Sequence, residues 1–304
     1  MNNATRNAQP ATRNAQPATR NAQPATHNPQ PVSALILTGY GLNCDNETAH
    51  AFELAGAAAV RVHINTVIAG GVDLDRFQIM VFGGGFSWGD DHGAGVIQAV
   101  RMKTHIGDKI QEFIAKGNVV IGICNGFQTL VNLGLLPGLD NDYTTRSVAV
   151  TYNDCGNFRD AWVTLRPNPD SNCIFTSGLG ALELPVRHGE GKFMTDSETL
   201  ERLIVNNQIA LQYAQPDGTP AGQAFPFNPN GSVYDIAGIC DPSGRIFGLM
   251  PHPEAFNHWT NHPDWTRRKA RQRDTRDWFD PGPTPGIQLL QNAVDYIKTN
   301  LVHA

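Results

Sequence analysis

The sequence predicts an α/β protein with a mostly parallel sheet that carries helices on both faces. Apolar runs rich in β-branched residues alternate with amphipathic stretches along the first half, as expected for βαβ units. The runs at 79–82 and 119–123 are apolar at nearly every position, which is typical of strands buried on both faces. The second of these runs ends in Gly122-Ile123-Cys124-Asn125-Gly126, a cysteine flanked by glycines before a helix-like stretch.

The first half of the chain contains four predicted strands and three predicted helices. The strands run from Ala34 to Thr38, Val60 to Ile64, Phe77 to Phe82 and Asn118 to Ile123, and the helices from Glu47 to Gly56, Ala94 to Lys116 and Phe127 to Leu133. Because helices separate consecutive strands, we expect the strands to pair in parallel. Sites in such sheets lie at the carboxyl ends of strands, and Cys124 follows one of those ends.

The second half has shorter apolar runs between turns of Asn, Asp, Gly and Pro. Five strands, several of them antiparallel, are predicted from Trp162 to Leu165, Leu184 to Val186, Ile209 to Tyr213, Tyr234 to Ile239 and Ile246 to Met250, and a closing helix from Pro285 to Leu301. Residues 257–283, rich in charge, tryptophan and proline, are expected to form an insertion or an excursion over the surface. We expect one compact domain over residues 33–304.

Residues 1–32 are predicted to be a disordered heptapeptide-repeat tail. Ala-Thr-Arg-Asn-Ala-Gln-Pro begins at Ala4, Ala11 and Ala18, and a degenerate copy begins at Ala25. Recurrent proline and low hydrophobicity exclude a coiled coil and favour disorder. An organellar transit peptide stays an alternative, which the prolines disfavour. Without the three arginines of the tail, 20 basic residues face 28 acidic ones, a net charge of −8 that argues against nucleic acid as a partner.

Cysteine usage and hydropathy indicate a cytoplasmic protein without a membrane partner. The five cysteines are odd in number, widely spaced and free of Cys-x-x-Cys pairs, so neither a disulfide framework nor a zinc knuckle fits. No apolar run approaches the roughly 20 residues that span a bilayer. His258 and His262 have a spacing seen in metal sites, but no glutamate follows His258 and prolines are close, so no metal site is expected.

Cys124 is the candidate nucleophile. A tight strand-to-helix turn needs glycine on both sides, and the N-terminus of the following helix lowers the pKa of a thiol. The alternative is a buried cysteine that acts as a small apolar residue. A partner for the thiol stands in Met250-Pro251-His252-Pro253-Glu254, where the prolines favour extended backbone and so turn His252 and Glu254 the same way. Together they form a predicted triad of thiol, imidazole and carboxylate.

A glycine-rich segment, Gly83-Gly84-Gly85-Phe86-Ser87-Trp88-Gly89-Asp90, follows the strand that ends at Phe82. It lacks the Gly-Lys-Ser/Thr of a phosphate loop. Glycines at a strand end can instead present backbone N–H groups to the oxyanion that a thiolate generates from an amide. Gly84 or Gly85 is the first predicted donor, and the backbone amide of Asn125 is the second.

Several motifs, in this order, resemble those of the class I glutamine amidotransferases, and in particular the family of glutaminase subunits of phosphoribosylformylglycinamidine synthases in purine biosynthesis. They are Asn43-Cys44-Asp45, Gly84-Gly85-Phe86-Ser87, Gly122 to Gln128, His188 to Phe193, Asn228 to Ser232 and Met250 to Glu254. The resemblance runs from about Ala34 to the C-terminus. It implies a flavodoxin-like sheet with antiparallel additions and a Cys-His-Glu triad that liberates ammonia from L-glutamine.

The resemblance also assigns roles and partners. Gln128 would hold the amino-acid group of glutamine, and His188 would line the site and face the partner, whereas residues 228–232 act there or form only a turn. The partners implied are a large synthase subunit and a small accessory subunit; ATP and Mg²⁺ would bind the synthase, with no cofactor on this chain. Residues 88–93 depart from the family pattern, which affects the partner contact or the pocket rim.

Two alternatives stay open at this point. The first is a class I amidotransferase for a different acceptor, and the second is a non-glutaminase relative with the same cysteine turn. Residues 125–128 and 188–190 speak against the first. The presence of both His252 and Glu254 on one extended segment speaks against the second. Cys44 and the remaining cysteines are expected to serve packing.

Overall fold

The computed structural model describes residues 31–272 and 282–301. The tail predicted over residues 1–32 lies outside this part of the chain except for its last two residues. The strands are β1 (Ser33–Thr38), β2 (Ala58–His63), β3 (Ile79–Phe82), β4 (Val119–Ile123), β5 (Ala149–Tyr152), β6 (Arg159–Pro167), β7 (Leu182–His188), β8 (Glu190–Met194), β9 (Ile209–Ala214), β10 (Ile236–Cys240) and β11 (Ile246–Leu249). The helices are α1 (Asp45–Leu54), α2 (Ile64–Ile68), α3 (Val96–Ala115), α4 (Asn125–Leu133), α5 (Ser197–Val205), α6 (Trp265–Gln272) and α7 (Pro285–Asn300).

Nine of the strands in the described ranges form one mixed sheet in the order β2-β1-β3-β4-β11-β10-β9-β6-β7. The strands from β2 to β11 in this order pair in parallel, and each later strand pairs antiparallel with its neighbour. β5 and β8 form a separate antiparallel ribbon. The parallel half with its antiparallel additions confirms the predicted fold class.

The topology brings three predicted motifs to one edge of the sheet. β3, β4 and β11 are adjacent and parallel, and all their residues are buried. Gly83 follows β3, Cys124 follows β4 and Met250 follows β11. Since the carboxyl ends of parallel strands meet at the same edge, segments far apart in sequence converge there.

Helices cover both faces of the parallel half. Along the sheet, the step from β1 to β2 and the step from β3 to β4 run in opposite directions. Right-handed crossovers therefore place α1 and α3 on opposite faces. α1 contacts α7, and α3 contacts α4. Among the described helices, none is both long enough and apolar enough to cross a bilayer.

Five helices and strands of the described part of the chain were missing from the sequence prediction, namely α2, β5, β8, α5 and α6. α6 lies in the predicted surface excursion, whose first part packs onto the domain. The ring of His262 lies 4.5 Å from that of Trp162, and Arg268 donates to the Glu183 carboxylate of β7. The nitrogens of His262 are engaged with the backbone of Asp264 and with Arg268, as expected of a structural side chain.

Candidate active site

Cys124 lies on a strained turn between β4 and α4. Its φ of 52° and ψ of −108° are unusual for a residue other than glycine, and such strain costs of the order of 1–3 kcal/mol. The turn is tight because α4 approaches the sheet closely. A Cβ on Gly126 would lie 1.9 Å from the carbonyl oxygen of Phe82, and one on Gly122 would lie 2.6 Å from that of Gly126. The predicted glycines are therefore required by close approach of backbone to backbone.

His252 and Glu254 form a buried pair beside this turn. Nδ1 of His252 lies 2.6 Å from Oε1 of Glu254, and both side chains are almost fully buried. The carboxylate holds the proton on Nδ1 and leaves Nε2 free of any nitrogen or oxygen partner among the described residues. The backbone N–H of His252 donates to the carbonyl of Pro185 over 2.8 Å, which fixes the segment against β7.

The electrostatics of this pair favour a protonated imidazole. Burial lowers the pKa of His252, but the Glu254 carboxylate and then the Cys124 sulfur oppose it, so the pKa stands well above its usual value. The pairing of imidazole with a carboxylate and a sulfur brings together the triad that the sequence predicted. The Cys124 Sγ itself lies 3.7 Å from the carbonyl oxygen of Arg187 at the end of β7.

The glycine-rich segment after β3 faces the histidine. A Cβ on Gly84 would lie 2.8 Å from Cε1 of His252, and one on Gly85 would lie 2.3 Å from the carbonyl oxygen of Gly41. Gly85 also has a φ of 146°. Side chains are thus excluded at both positions, and the backbone at Gly84 comes directly against the ring of His252. The role of these amides as oxyanion donors stays a prediction.

A polar network that sequence reasoning missed joins this segment to α4. The side-chain amide of Asn125 donates to Asp90 over 2.9 Å and to Gln128 over 3.2 Å, and Gln128 donates to the carbonyl oxygen of Glu190. Burial, followed by the charge of Glu190, raises the pKa of Asp90 to about 6. Gln128 thus bonds the side chain of Asn125 and the backbone of Glu190, one helical turn beyond Cys124.

The segment 228–232 is a buried network and more than a surface turn. The side chain of Asn230 donates to the carbonyl oxygen of Gly191 over 2.8 Å and to the hydroxyl of Tyr213 over 3.1 Å. The backbone N–H of Phe193 donates to the hydroxyl of Ser232 over 2.9 Å. These bonds hold β8 in place. They thereby also fix the carbonyl oxygen of Glu190, which accepts the hydrogen bond from Gln128.

Cys44 lies at the site, which its expected packing role does not account for. Its Sγ, a ring nitrogen of His252 and a carboxylate oxygen of Glu254 lie within 4.8 Å of one another. A thiolate, an imidazole and a carboxylate are ligands that zinc accepts, but here the imidazole and the carboxylate are joined by a direct hydrogen bond of 2.6 Å. All five cysteines are free; Cys173 and Cys240 are buried, and Cys155 is exposed.

The fold and this arrangement of side chains are those expected of a glutamine amidotransferase, and comparison with known proteins agrees. The chain belongs to the family of CobB/CobQ-like glutamine amidotransferase domains, whose model matches residues 31–297. This confirms the family membership that the sequence motifs predicted.

Comparison with individual proteins gives a more specific similarity than the family match does. The chain is 43% identical over 264 residues to phosphoribosylformylglycinamidine synthase subunit PurQ of Methanococcus maripaludis strain C5, covering 87% of this chain and 98% of that protein. It is 43% identical over 267 residues to the PurQ subunit of Dehalococcoides mccartyi, covering 88% and 98% of the two chains. A chain in the structure of PurLQS from Thermotoga maritima superposes with a TM-score of 0.62 at 25% identity, covering 88% of this chain and 99% of that one.

Proposed function

We propose that this chain is the glutaminase subunit of a phosphoribosylformylglycinamidine synthase. It hydrolyses L-glutamine to glutamate and ammonia, and a synthase subunit uses the ammonia and ATP to convert formylglycinamide ribonucleotide to formylglycinamidine ribonucleotide. The observation that carries the proposal is the strained Cys124 beside the buried pair of His252 and Glu254, in a chain whose 43% identical relatives are PurQ subunits.

The reaction begins with the Cys124 sulfur. Its proton passes to Nε2 of His252, and the thiolate attacks the side-chain amide carbon of glutamine. The raised pKa of His252 favours this charge-separated pair, because Glu254 stabilises the imidazolium. The tetrahedral oxyanion is stabilised by the backbone N–H groups of Asn125 and of Gly84 or Gly85.

Collapse of this intermediate breaks the C–N bond. His252 donates its proton to the departing nitrogen, ammonia leaves, and a γ-glutamyl thioester remains on Cys124. Water then loses a proton to Nε2 of His252 and attacks the thioester carbon. The thiolate leaves and takes the proton back, which releases glutamate and restores the enzyme.

The proposal extends to the assembly and its location. The synthase subunit and a small accessory subunit are the partners, in line with the PurLQS assembly of Thermotoga maritima. ATP and Mg²⁺ are assigned to the synthase. We place the complex in the cytoplasm, and the five free cysteines suit a reducing compartment.

Glutamate release by the purified chain, with and without the synthase partner, ATP and formylglycinamide ribonucleotide, tests the proposal. Cys124→Ala abolishes release, whereas Cys155→Ser, which changes an exposed thiol, leaves it intact. The partner and its substrates raise the rate. Full glutamate release by Cys124→Ala overturns the mechanism. A rate of glutamate release that is the same with and without the partner and its substrates overturns the assignment to this pathway.

A further inference from the structure

His188 is a buried histidine whose second ring nitrogen has no protein partner. The residue is 2% exposed, and its Nε2 is a buried atom without a hydrogen-bond partner in the described ranges. Native proteins satisfy most buried polar atoms, and leaving one unpaired costs of the order of 1–3 kcal/mol. An unpaired nitrogen at this depth is therefore available to a ligand.

The neighbouring Asn153 fixes which nitrogen of His188 carries the proton. Its Nδ2 donates to the carbonyl oxygens of His188 and Asn157, over 2.8 and 3.0 Å, which assigns the amide orientation. Its Oδ1 accepts from the backbone N–H of Gly191 over 3.0 Å and lies 3.1 Å from Nδ1 of His188. An oxygen that only accepts requires a proton on Nδ1, so Nε2 carries a lone pair.

Burial and the charge of His252 keep this imidazole neutral. Together, in that order, they lower the pKa of His188 to about 3. At neutral pH the ring therefore neither gains a proton nor donates from Nε2. It offers one hydrogen-bond acceptor and no charge.

The segment that carries His188 touches the catalytic groups on both sides. Before it, the carbonyl oxygen of Arg187 lies 3.7 Å from the Cys124 Sγ. After it, the carbonyl oxygen of Glu190 accepts from Gln128. The charge of His252, the proposed proton donor to the leaving nitrogen, also lowers the pKa of the His188 ring.

We propose that Nε2 of His188 accepts a hydrogen bond from the side-chain –NH₂ of the bound glutamine and thereby selects glutamine over glutamate. This inference rests on the proposed glutaminase function and names a specificity residue for it. The amide of glutamine has two N–H donors, whereas the carboxylate of glutamate has only acceptors. A neutral acceptor forms a hydrogen bond with the amide of glutamine. Against the carboxylate of glutamate its lone pair meets only other lone pairs, which disfavours binding of the product.

Two variants separate the acceptor from the structural bond to Asn153. His188→Asn retains an N–H close to the position of Nδ1 and loses the acceptor, whereas His188→Gln places an amide oxygen close to Nε2. Each is assayed with glutamine and with the γ-methyl ester of glutamate, which has the same α-groups but no N–H at the reacting carbon. Tm and the rate of Cys124 alkylation by iodoacetamide report on folding.

The expected result is a loss for His188→Asn of roughly 5-fold to 150-fold in kcat/KM for glutamine relative to the ester, since leaving the buried N–H of glutamine unpaired costs about 1–3 kcal/mol. His188→Gln recovers most of it. Parallel losses on both substrates, or an unchanged preference in His188→Asn, overturn the inference. Absence of glutamine hydrolysis by the wild-type chain, with and without the synthase partner, instead overturns the proposed function.

A second measurement uses the native histidine, so it does not depend on the folding of a variant at 188. In ¹⁵N-histidine-labelled Cys124→Ala protein, glutamine shifts the Nε2 resonance of His188 towards that of a hydrogen-bonded acceptor, and the γ-methyl ester does not. The inference is overturned if the Nε2 resonance does not shift at a saturating concentration of glutamine, or if it shifts equally with both compounds.

Discussion

The close packing of α4 on the sheet predicts that Gly126→Ala damages activity more than stability. The added Cβ would lie 1.9 Å from the Phe82 carbonyl oxygen, where ordinary contacts begin at 3.4 Å, so the helix must move away by about 1.5 Å. Overpacking of this kind costs typically 1–3 kcal/mol. The same movement carries the Cys124 turn, and a misplacement of about 1 Å can cost 10²-fold in rate. We therefore expect a Tm lower by several degrees and kcat/KM lower by about 100-fold or more.

The matched control is Gly107→Ala in α3. A Cβ there meets nothing within 4 Å, so alanine at this position adds no clash. This variant keeps full glutamine hydrolysis and a Tm close to that of the wild type. Thermal unfolding, glutamate release and iodoacetamide labelling of Cys124 are measured for both. Wild-type activity in Gly126→Ala would refute the claim that this contact positions the nucleophile.

Three further changes test the pair and its surroundings. Glu254→Gln removes the charge that raises the pKa of His252, so kcat falls by about 10²–10⁴-fold, and NMR titration finds a lower histidine pKa; an unchanged kcat contradicts the triad. Because folding raises the pKa of Asp90 to about 6, that carboxyl favours the folded state most at low pH, and this contribution is lost as the pH rises through 6. Asp90→Asn should therefore raise Tm relative to wild type more at pH 7.5 than at pH 5. An equal change in Tm at both pH values would contradict this role of the Asp90 carboxyl. Asn230→Ala, which breaks the buried bond to Gly191, should cost of the order of 1–3 kcal/mol in urea unfolding and raise KM for glutamine; a change in stability alone would confine this residue to folding.

The parallel half of the fold was predictable because its signals are local. Each of β3 and β4 is a continuous apolar run with a glycine at its end, and each is followed by a helix pattern. Once the strands are known to be parallel, their carboxyl ends must meet, so the convergence of Cys124 with Gly84 follows without coordinates. His252 lies far from Cys124 in the sequence and was predicted from its chemistry, as a base for the thiol. β11, which precedes His252, pairs with β4, which precedes Cys124, and so brings the two residues together.

The missed parts depend on contacts between distant segments. β8 has the sequence Glu-Gly-Lys-Phe-Met, too short and polar to read as a strand, and exists through its pairing with β5 about 40 residues earlier. The position of Cys44 against His252 is likewise a contact across some 200 residues that no local pattern contains. α5 is different, because the sequence did hold its signal. Asp196 caps the helix by accepting from Thr199, and apolar residues follow at 200, 203 and 204.

The two buried histidines of the site show how partners decide the chemistry of one residue type. Both rings are almost fully buried, and burial lowers the pKa of each. At Nδ1, His252 meets the carboxylate of Glu254 and His188 meets the uncharged amide oxygen of Asn153. A carboxylate stabilises an imidazolium, so the pKa of His252 is raised, whereas the amide oxygen does not compensate for burial and the pKa of His188 is lowered. Opposed shifts of this kind assign different roles. His252 can carry a proton to the leaving nitrogen of glutamine, and His188 can hold that nitrogen without competing for the proton.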